Sequence, residues 1–289
     1  MAPAAHCRDL RVADTHPADY PTVQALTEMG RLIAERSDGR YRLKVFHSRV
    51  LGEEPETIEQ TRAGALDMVR VSITLFNAIV PETQAASLPF LFHSVEHLHH
   101  VVDGPVGAEI LRAFDRHGLV ALAYYDAGAR SFYNARHPIR TPADLKGLRI
   151  RVQQSPLAEA MVTALGATPV PLAYGQVGVG LKAGMIDGAE NNWPSYQDAG
   201  HFETARHYSV SEHMMAPEVV VMSRKVWDSL PAADQALIRQ AAKDSVPFMR
   251  RLWAGREQAA QDRLKASGVV VNPVDKAQFA AAMAPVYDR

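Results

Sequence analysis

The chain has a single cysteine, Cys7, which excludes an internal disulfide framework and any zinc site built on several thiolates. Charge of one sign is missing as well: 31 Lys and Arg stand against 32 Asp and Glu in 289 residues, a formal charge of −1. Without a basic run, the chain lacks the clustered cations that neutralise phosphates, and no nucleic-acid partner is expected. No apolar run approaches the 18 or so residues of a membrane-spanning helix. The start, Met-Ala-Pro-Ala-Ala-His, has neither the basic nor the apolar region of a signal peptide, so the expectation is a cytosolic protein or one whose leader has been removed. A phosphate loop, a dinucleotide fingerprint and a nucleophile elbow are also missing, since Gly175, Gly178 and Gly180 have the wrong spacing for any of them.

What is present is ordinary globular usage, 47% apolar and 22% charged, in a length that suits two compact units or one large one. Short apolar strands alternate with helical periodicity, which predicts an α/β architecture. Strands are expected at 10–13, 41–45, 68–72, 119–125 and 148–152. A helix is expected from Pro21 to a stop at Gly39, with Val23, Leu26, Met29 and Ile33 on one face. A second is expected over 55–66. The stretch 231–267 is helical in pattern but contains Pro247, which removes a backbone donor and predicts a kink or break near Val246.

An internal echo stands out. Arg62-Ala-Gly-Ala-Leu-Asp67 and Lys182-Ala-Gly-Met-Ile-Asp187 share a basic-Ala-Gly-x-aliphatic-Asp pattern, with glycine where a helix ends in a left-handed residue. Each copy leads into a strand, and the polar residues just beyond (Arg70 in one, Glu190, Asn191 and Asn192 in the other) fall where open α/β sheets bind ligands.

Several side chains are candidates for chemistry. In Leu148-Arg-Ile-Arg-Val-Gln153, strict alternation puts Arg149, Arg151 and Gln153 on one face. That face is either a solvated exterior or an anion clamp, since a guanidinium donates two parallel hydrogen bonds to a carboxylate. Arg130 is a second cation on a neighbouring strand. His16, Asp19 and Tyr20 follow the first strand, as ligand groups or as helix caps. Glu54 opens a helix. Tyr174, Trp193 and Tyr196 are sugar-stacking aromatics or core. His93-Ser-Val-Glu96-His97 matches a zinc-hydrolase pattern of two imidazoles one turn apart with a carboxylate base, although no third ligand follows.

The order and spacing of Leu51-Gly-Glu-Glu, Gly64-Ala-Leu-Asp-Met, Leu88-Pro-Phe-Leu-Phe, Asp144-Leu-Lys-Gly-Leu-Arg-Ile-Arg-Val and Lys182-Ala-Gly-Met-Ile-Asp-Gly-Ala-Glu-Asn resemble the solute-binding proteins of tripartite ATP-independent periplasmic (TRAP) transporters, from about Leu10 onward. The resemblance implies a two-lobed α/β periplasmic binding protein, type II-like, with a long hinge-spanning helix. The implied lobes are 1–127 with 216–256, and 128–215 with 257–289, closing on a ligand in the cleft. It implies a carboxylate ligand clamped by Arg151, with Arg130 as a second arginine, Asn191 from the Glu-Asn motif and Tyr174 at the family's aromatic position.

A narrower similarity rests on Asp14-Thr-His-Pro-Ala-Asp-Tyr-Pro-Thr, Met68-Val-Arg-Val-Ser, Arg151-Val-Gln-Gln-Ser and Glu190-Asn-Asn. It points to members that bind sugar acids, glucuronate or galacturonate. His16, Asp19, Glu54, Arg70, Gln153, Asn191 and Asn192 would then serve the hydroxyls and the acid group. The resemblance further implies binding without catalysis or cofactor, a monomer, membrane-subunit partners, and a periplasmic location after loss of the leader. Another organic acid (an aldonate, pantoate or a dicarboxylate) and a zinc hydrolase on His93, Glu96 and His97 are the alternatives.

Overall fold

A computed structural model describes residues 7–288; the Met1 to His6 start, on which the expectation of a missing leader rests, lies outside them. The chain divides into two compact units. The first comprises the residues up to Ser72, Val102–Asp126 and Glu218–Trp253, and the second Ile73–Val101, Ala127–Pro217 and the residues from Ala254. The strands in chain order are β1 (Arg8–Ala13), β2 (Tyr41–Phe46), β3 (Met68–Ser72), β4 (Leu119–Tyr125), β5 (Arg130–Asn134), β6 (Arg149–Val152), β7 (Thr168–Pro171), β8 (Gly188–Asn191), β9 (His207–Met214), β10 (Glu218–Ser223) and β11 (Val270–Pro273).

The first unit is built on a sheet of order β2-β1-β3-β10-β4, the second on a sheet of order β11-β9-β5-β8-β6-β7. Within each, three parallel strands have the first in sequence at their centre: β2-β1-β3 and β7-β6-β8. An antiparallel strand then joins the third, β10 on β3 and β5 on β8. The two units thus repeat one βαβαβ plan, with helices Pro21–Arg36 and Glu54–Ala63 in the first and Pro156–Ala164 and Val177–Lys182 in the second.

The sequence echo lies at matching places in that plan. Gly64 and Gly184 both take left-handed φ, 81° and 65°, reversing the chain after a helix where a Cβ would be strained. Each echoed aspartate then ties its strand to the neighbouring one. Asp67 accepts from the backbone N–H of Arg11 at 2.8 Å and from its Nε at 3.2 Å. Asp187 accepts from the N–H of Arg149 at 2.9 Å and from its Nε at 3.0 Å.

Each unit has its own apolar core. In the first, Leu10, Val12, Leu26, Met29 and Ile33 pack with Leu122, Val220, Met222 and Trp253, which is the buried face the 3–4 spacing predicts for Pro21–Arg36. In the second, Tyr133, Tyr196, Tyr208 and Trp193 pack with Val177, Leu181 and Leu264. Trp193 stacks on Tyr208 with centroids 3.7 Å apart, and Tyr196 donates to the carbonyl of Ala205. Both aromatics are core residues.

Of the kink or break expected near Val246, the break does not occur: Ala232–Ala266 is one helix of 35 residues with Pro247 inside it. Proline removes one bond and leaves the carbonyl of Lys243 without its partner; both residues are exposed, so water can satisfy that carbonyl. The segment Ile73–Val101, expected in the first lobe, belongs to the second unit. Its polar groups are satisfied there: Ile73 N–H donates to Pro217 O, Phe90 N–H to His213 O, and Asn77 Oδ1 accepts from Ser155 Oγ. The other changeovers fall at Asp126/Ala127, Pro217/Glu218 and Trp253/Ala254. Among the described residues no helix is long and apolar enough to cross a membrane.

Candidate functional site

Nine of the ten expected site residues are buried; Asp19 is exposed. In the second unit, β5, β6 and β8 bring Arg130, Arg151, Glu190 and Asn191 to one sheet. Arg130 donates from Nε and Nη2 to the Glu190 carboxylate at 2.5 and 2.8 Å, from Nη2 to the Glu190 carbonyl at 2.8 Å, and from Nη1 to Asn191 Oδ1 at 3.0 Å. Asn191 Oδ1 also accepts from the Asn192 N–H at 2.9 Å. With its oxygen held on both sides, Asn191 is oriented so that its amide N–H₂ is the end left to donate. Burial alone would raise the Glu190 carboxyl, but the Arg130 charge and the hydrogen bonds from His213 and Arg130 overcome it and bring it down to about 2. His213 stands behind this pair, its Nε2 3.4 Å from Glu190 and its Nδ1 2.8 Å from Ser211 Oγ, with its ring stacked on Phe132.

Arg151 has a different environment. Its Nε donates to the carbonyl of Leu172 at 2.8 Å, which fixes the plane of the guanidinium and the direction of its two terminal nitrogens. Tyr133 and His201 are near enough to feel its charge, and they hydrogen-bond each other at 2.8 Å. Burial first, and Arg151 second, push His201 down to about 3, so its imidazole is neutral at physiological pH. Tyr174 donates to the carbonyl of Ser195 and meets His201 edge-on. Gln153 is buried at the end of this strand. Arg149, on the same nominal face as Arg151, is half exposed and pairs with Asp187. The alternating face therefore splits: Arg149 ties strands together and Arg151 is the buried cation. Asn192 uses its side-chain oxygen to cap the helix Trp193–Asp198, accepting from Ser195 N–H at 2.8 Å.

In the first unit the centre is Arg70, on β3 and fully buried. Its Nε and Nη2 both donate to Asp14, Nη2 also donates to Thr15 Oγ1, and Nη1 donates to Glu218 at 2.7 Å with Glu54 at 3.8 Å. Asp14 is held in turn by the His16 N–H and by Thr22 Oγ1, both at 2.8 Å. His16 stacks on Tyr20 at 3.8 Å; burial, then the charges of Arg70 and Arg49, keep its pKa well below the ordinary value. Ser48 and Arg49 adopt left-handed φ of 56° and 63°, unusual for residues with side chains, and Ser48 N–H donates to the His16 carbonyl at 2.7 Å.

Asp14, Thr15, Glu218, Tyr133, His201 and His213 were not singled out by sequence reasoning as site residues. Glu218 carried a usable signal, a lone charge opening the apolar run of β10. Asp14 and Thr15 adjoin the His16 motif. Nothing local marks His213, on β9, or His201, in the turn of 3-10 helix His201–Glu203, which meet Glu190 and Tyr133 from distant parts of the sequence. Of the zinc-hydrolase residues, His93 and Glu96 are exposed, His97 is half-buried, and the His93 and His97 rings lie 5.3 Å apart. Among the described residues no group of three or more His, Cys, Asp or Glu is placed to hold a metal ion.

The DctP family, bacterial extracellular solute-binding protein family 7, matches residues 12–289. A solute-binding protein of Chromohalobacter salexigens is 41% identical over 275 residues, 95% of this chain and 82% of that protein. The crystal structure of a TRAP periplasmic solute-binding protein from Bradyrhizobium sp. BTAi1, in complex with α/β-D-galacturonate, is 55% identical, covers 97% of this chain and 94% of that one, and superposes with a TM-score of 0.96. That of a TRAP protein from Roseobacter denitrificans with bound β-D-glucuronate is 42% identical, with coverage of 97% and 93% and a TM-score of 0.95. The chain belongs to family 7 of the bacterial extracellular solute-binding proteins and is a TRAP solute-binding protein.

Proposed function

We propose that this protein binds a hexuronate, D-galacturonate or D-glucuronate, in the periplasm and hands it unaltered to the membrane subunits of its transporter, acting as a monomer. The observation that carries this reading is Arg151: a buried guanidinium anchored through Nε by the Leu172 carbonyl, in a chain 55% identical to a galacturonate-binding protein. With Nε held, the terminal nitrogens present the fork that matches a carboxylate. Arg130 adds positive charge and orients Asn191, whose amide donates to the ligand. Gln153 meets a hydroxyl and Tyr174 supports the sugar ring. In the first unit Arg70 serves as the internal counter-ion that holds Asp14, Glu54 and Glu218 in place. Asn192 contributes through its cap.

Titration calorimetry tests this. Wild-type protein is expected to bind D-galacturonate or D-glucuronate, and the sugar recovered afterwards to be chemically unchanged. Arg151→Ala is expected to abolish the heat of binding with the thermal midpoint of the unliganded protein preserved, and Arg151→Lys to bind poorly, since an ammonium cannot reproduce two parallel bonds. Ligand at a hundred times its dissociation constant is expected to add about 2.7 kcal/mol of stability. Full uronate affinity in Arg151→Ala would reject the clamp.

A further inference from the structure

A cleft of about 380 Å³ lies wholly within the first unit, and none of the residues proposed for the uronate lines it. That volume suits a small molecule. Its walls are the helix Pro105–Ala113, the edge strand β4 and one stripe of the long helix Ala232–Ala266. The stripe is Lys243, Val246, Pro247 and Arg250, at the spacing of three and four that keeps side chains on one helix face. Leu111 and Leu122 make the opposite wall apolar. Pro247 gives the cleft an acceptor: a helix carbonyl points along the axis at residue i+4, so the Lys243 carbonyl is directed at a residue without an N–H. Charge at the rim is unbalanced. Arg250 donates from its two terminal nitrogens to Asp103 at 2.8 and 2.9 Å, and its Nε lies 3.6 Å from Asp126. Lys243 forms no ion pair or side-chain hydrogen bond among the described residues.

We infer that this cleft is a second binding site, for a small aromatic monocarboxylate that carries a hydroxyl. The acid meets the Lys243 ammonium, the ring lies against Leu111, Leu122 and Val246, and the hydroxyl donates to the Lys243 carbonyl in place of water. A helical side chain leans towards the helix N-terminus while its carbonyl points towards the C-terminus. The cation and the acceptor therefore stand apart along the wall, which calls for an acid and a hydroxyl at opposite ends of the ligand. One unmatched positive charge favours a monoanion, and a cationic ligand would add to the surplus.

The probe is 4-hydroxyphenylacetate, titrated into the full chain in saturating D-galacturonate and followed by amide NMR shifts. The same titration of Arg151→Ala protein without uronate keeps the test intact if galacturonate does not bind. Shifts are expected at 102–111, 122–124 and 243–250, with a Kd below about 1 mM. Phenylacetate, which lacks the hydroxyl, is expected to bind about three- to tenfold more weakly, and tyramine, with an ammonium in place of the acid, to cause no such shifts. Lys243→Gln is expected to weaken 4-hydroxyphenylacetate about fivefold, and Ala108→Trp to fill the cleft and abolish its shifts. Pro247→Ala supplies the missing N–H without interrupting the helix, and should bring the two acids to equal affinity. A preference for the hydroxyl that survives in Pro247→Ala would overturn the inference. So would displacement of the probe by galacturonate, or no shift in these segments at about ten times that concentration.

Discussion

Arg70 and Arg151 are both buried arginines on central strands, yet their environments give them opposite roles. Arg70 is enclosed by Asp14, Glu54 and Glu218. Removing one partner from a buried ion network leaves the others as uncompensated charge, at about 3–5 kcal/mol. Arg70→Ala is accordingly expected to lower the urea midpoint sharply or to prevent folding, whereas Arg151→Ala spares stability and removes ligand binding. Unfolding curves for the two variants side by side would show whether these roles are separate; equal loss of stability would contradict the assignment. Both arginines are candidates from the sequence alone, but a guanidinium's role depends on which acceptors reach it, and those acceptors come from residues as far along the chain as Glu218.

At the scale of elements, the repeated helix–glycine–aspartate unit does the positioning. The strand that follows the second copy begins at Gly188, where a Cβ would lie 2.3 Å from the Tyr133 carbonyl oxygen and 2.6 Å from the Asn134 Cβ. No side chain can be accommodated without moving β5 away from β8, and β5 carries Arg130 and β8 carries Glu190 and Asn191. Gly188→Ala is expected to destabilise by about 1–3 kcal/mol, as overpacking typically does, and to weaken uronate binding through the displaced strand. Gly166, in a turn with φ of 83° and open space within 4 Å of where a Cβ would lie, is the control: Gly166→Ala should cost only its backbone strain and leave affinity unchanged. Thermal melts and calorimetry on both variants check this, and unchanged affinity in Gly188→Ala would mean that the β5–β8 spacing does not govern the site.

For the whole molecule, three buried histidines, His16, His201 and His213, set the response to acid. Burial is the leading cause of depression in each. The folded protein holds these imidazoles neutral, whereas the unfolded chain takes up protons as pH falls through about 6.5. Their contribution to stability is therefore fully present above that pH and is lost as pH falls below it, continuing for His201 to about 3. The slope approaches about 1.4 kcal/mol per pH unit for each imidazole that stays neutral while its unfolded counterpart is protonated, as His16 and His201 do. The urea midpoint of unliganded protein is expected to drop between pH 7 and pH 5, and His201→Gln to make that slope shallower. A flat profile over this range would contradict neutral burial of the three rings.

The amino-acid order by itself determined the strand and helix alternation, the placement of Val23, Leu26, Met29 and Ile33 on a buried face, the glycine stops at Gly64 and Gly184, and the arginine, asparagine and glutamate residues proposed for a sugar-acid site. These are local properties, set by side-chain periodicity and backbone preference within a few residues. Only the tertiary structure decided that Ile73–Val101 joins the second unit, that Pro247 sits in an unbroken helix, and that Arg149 braces strands on Asp187 while Arg151 is buried against the Leu172 carbonyl. Each of those outcomes depends on partners distant in sequence, because a buried charge or an unpaired carbonyl is stabilised by whatever the fold brings to it.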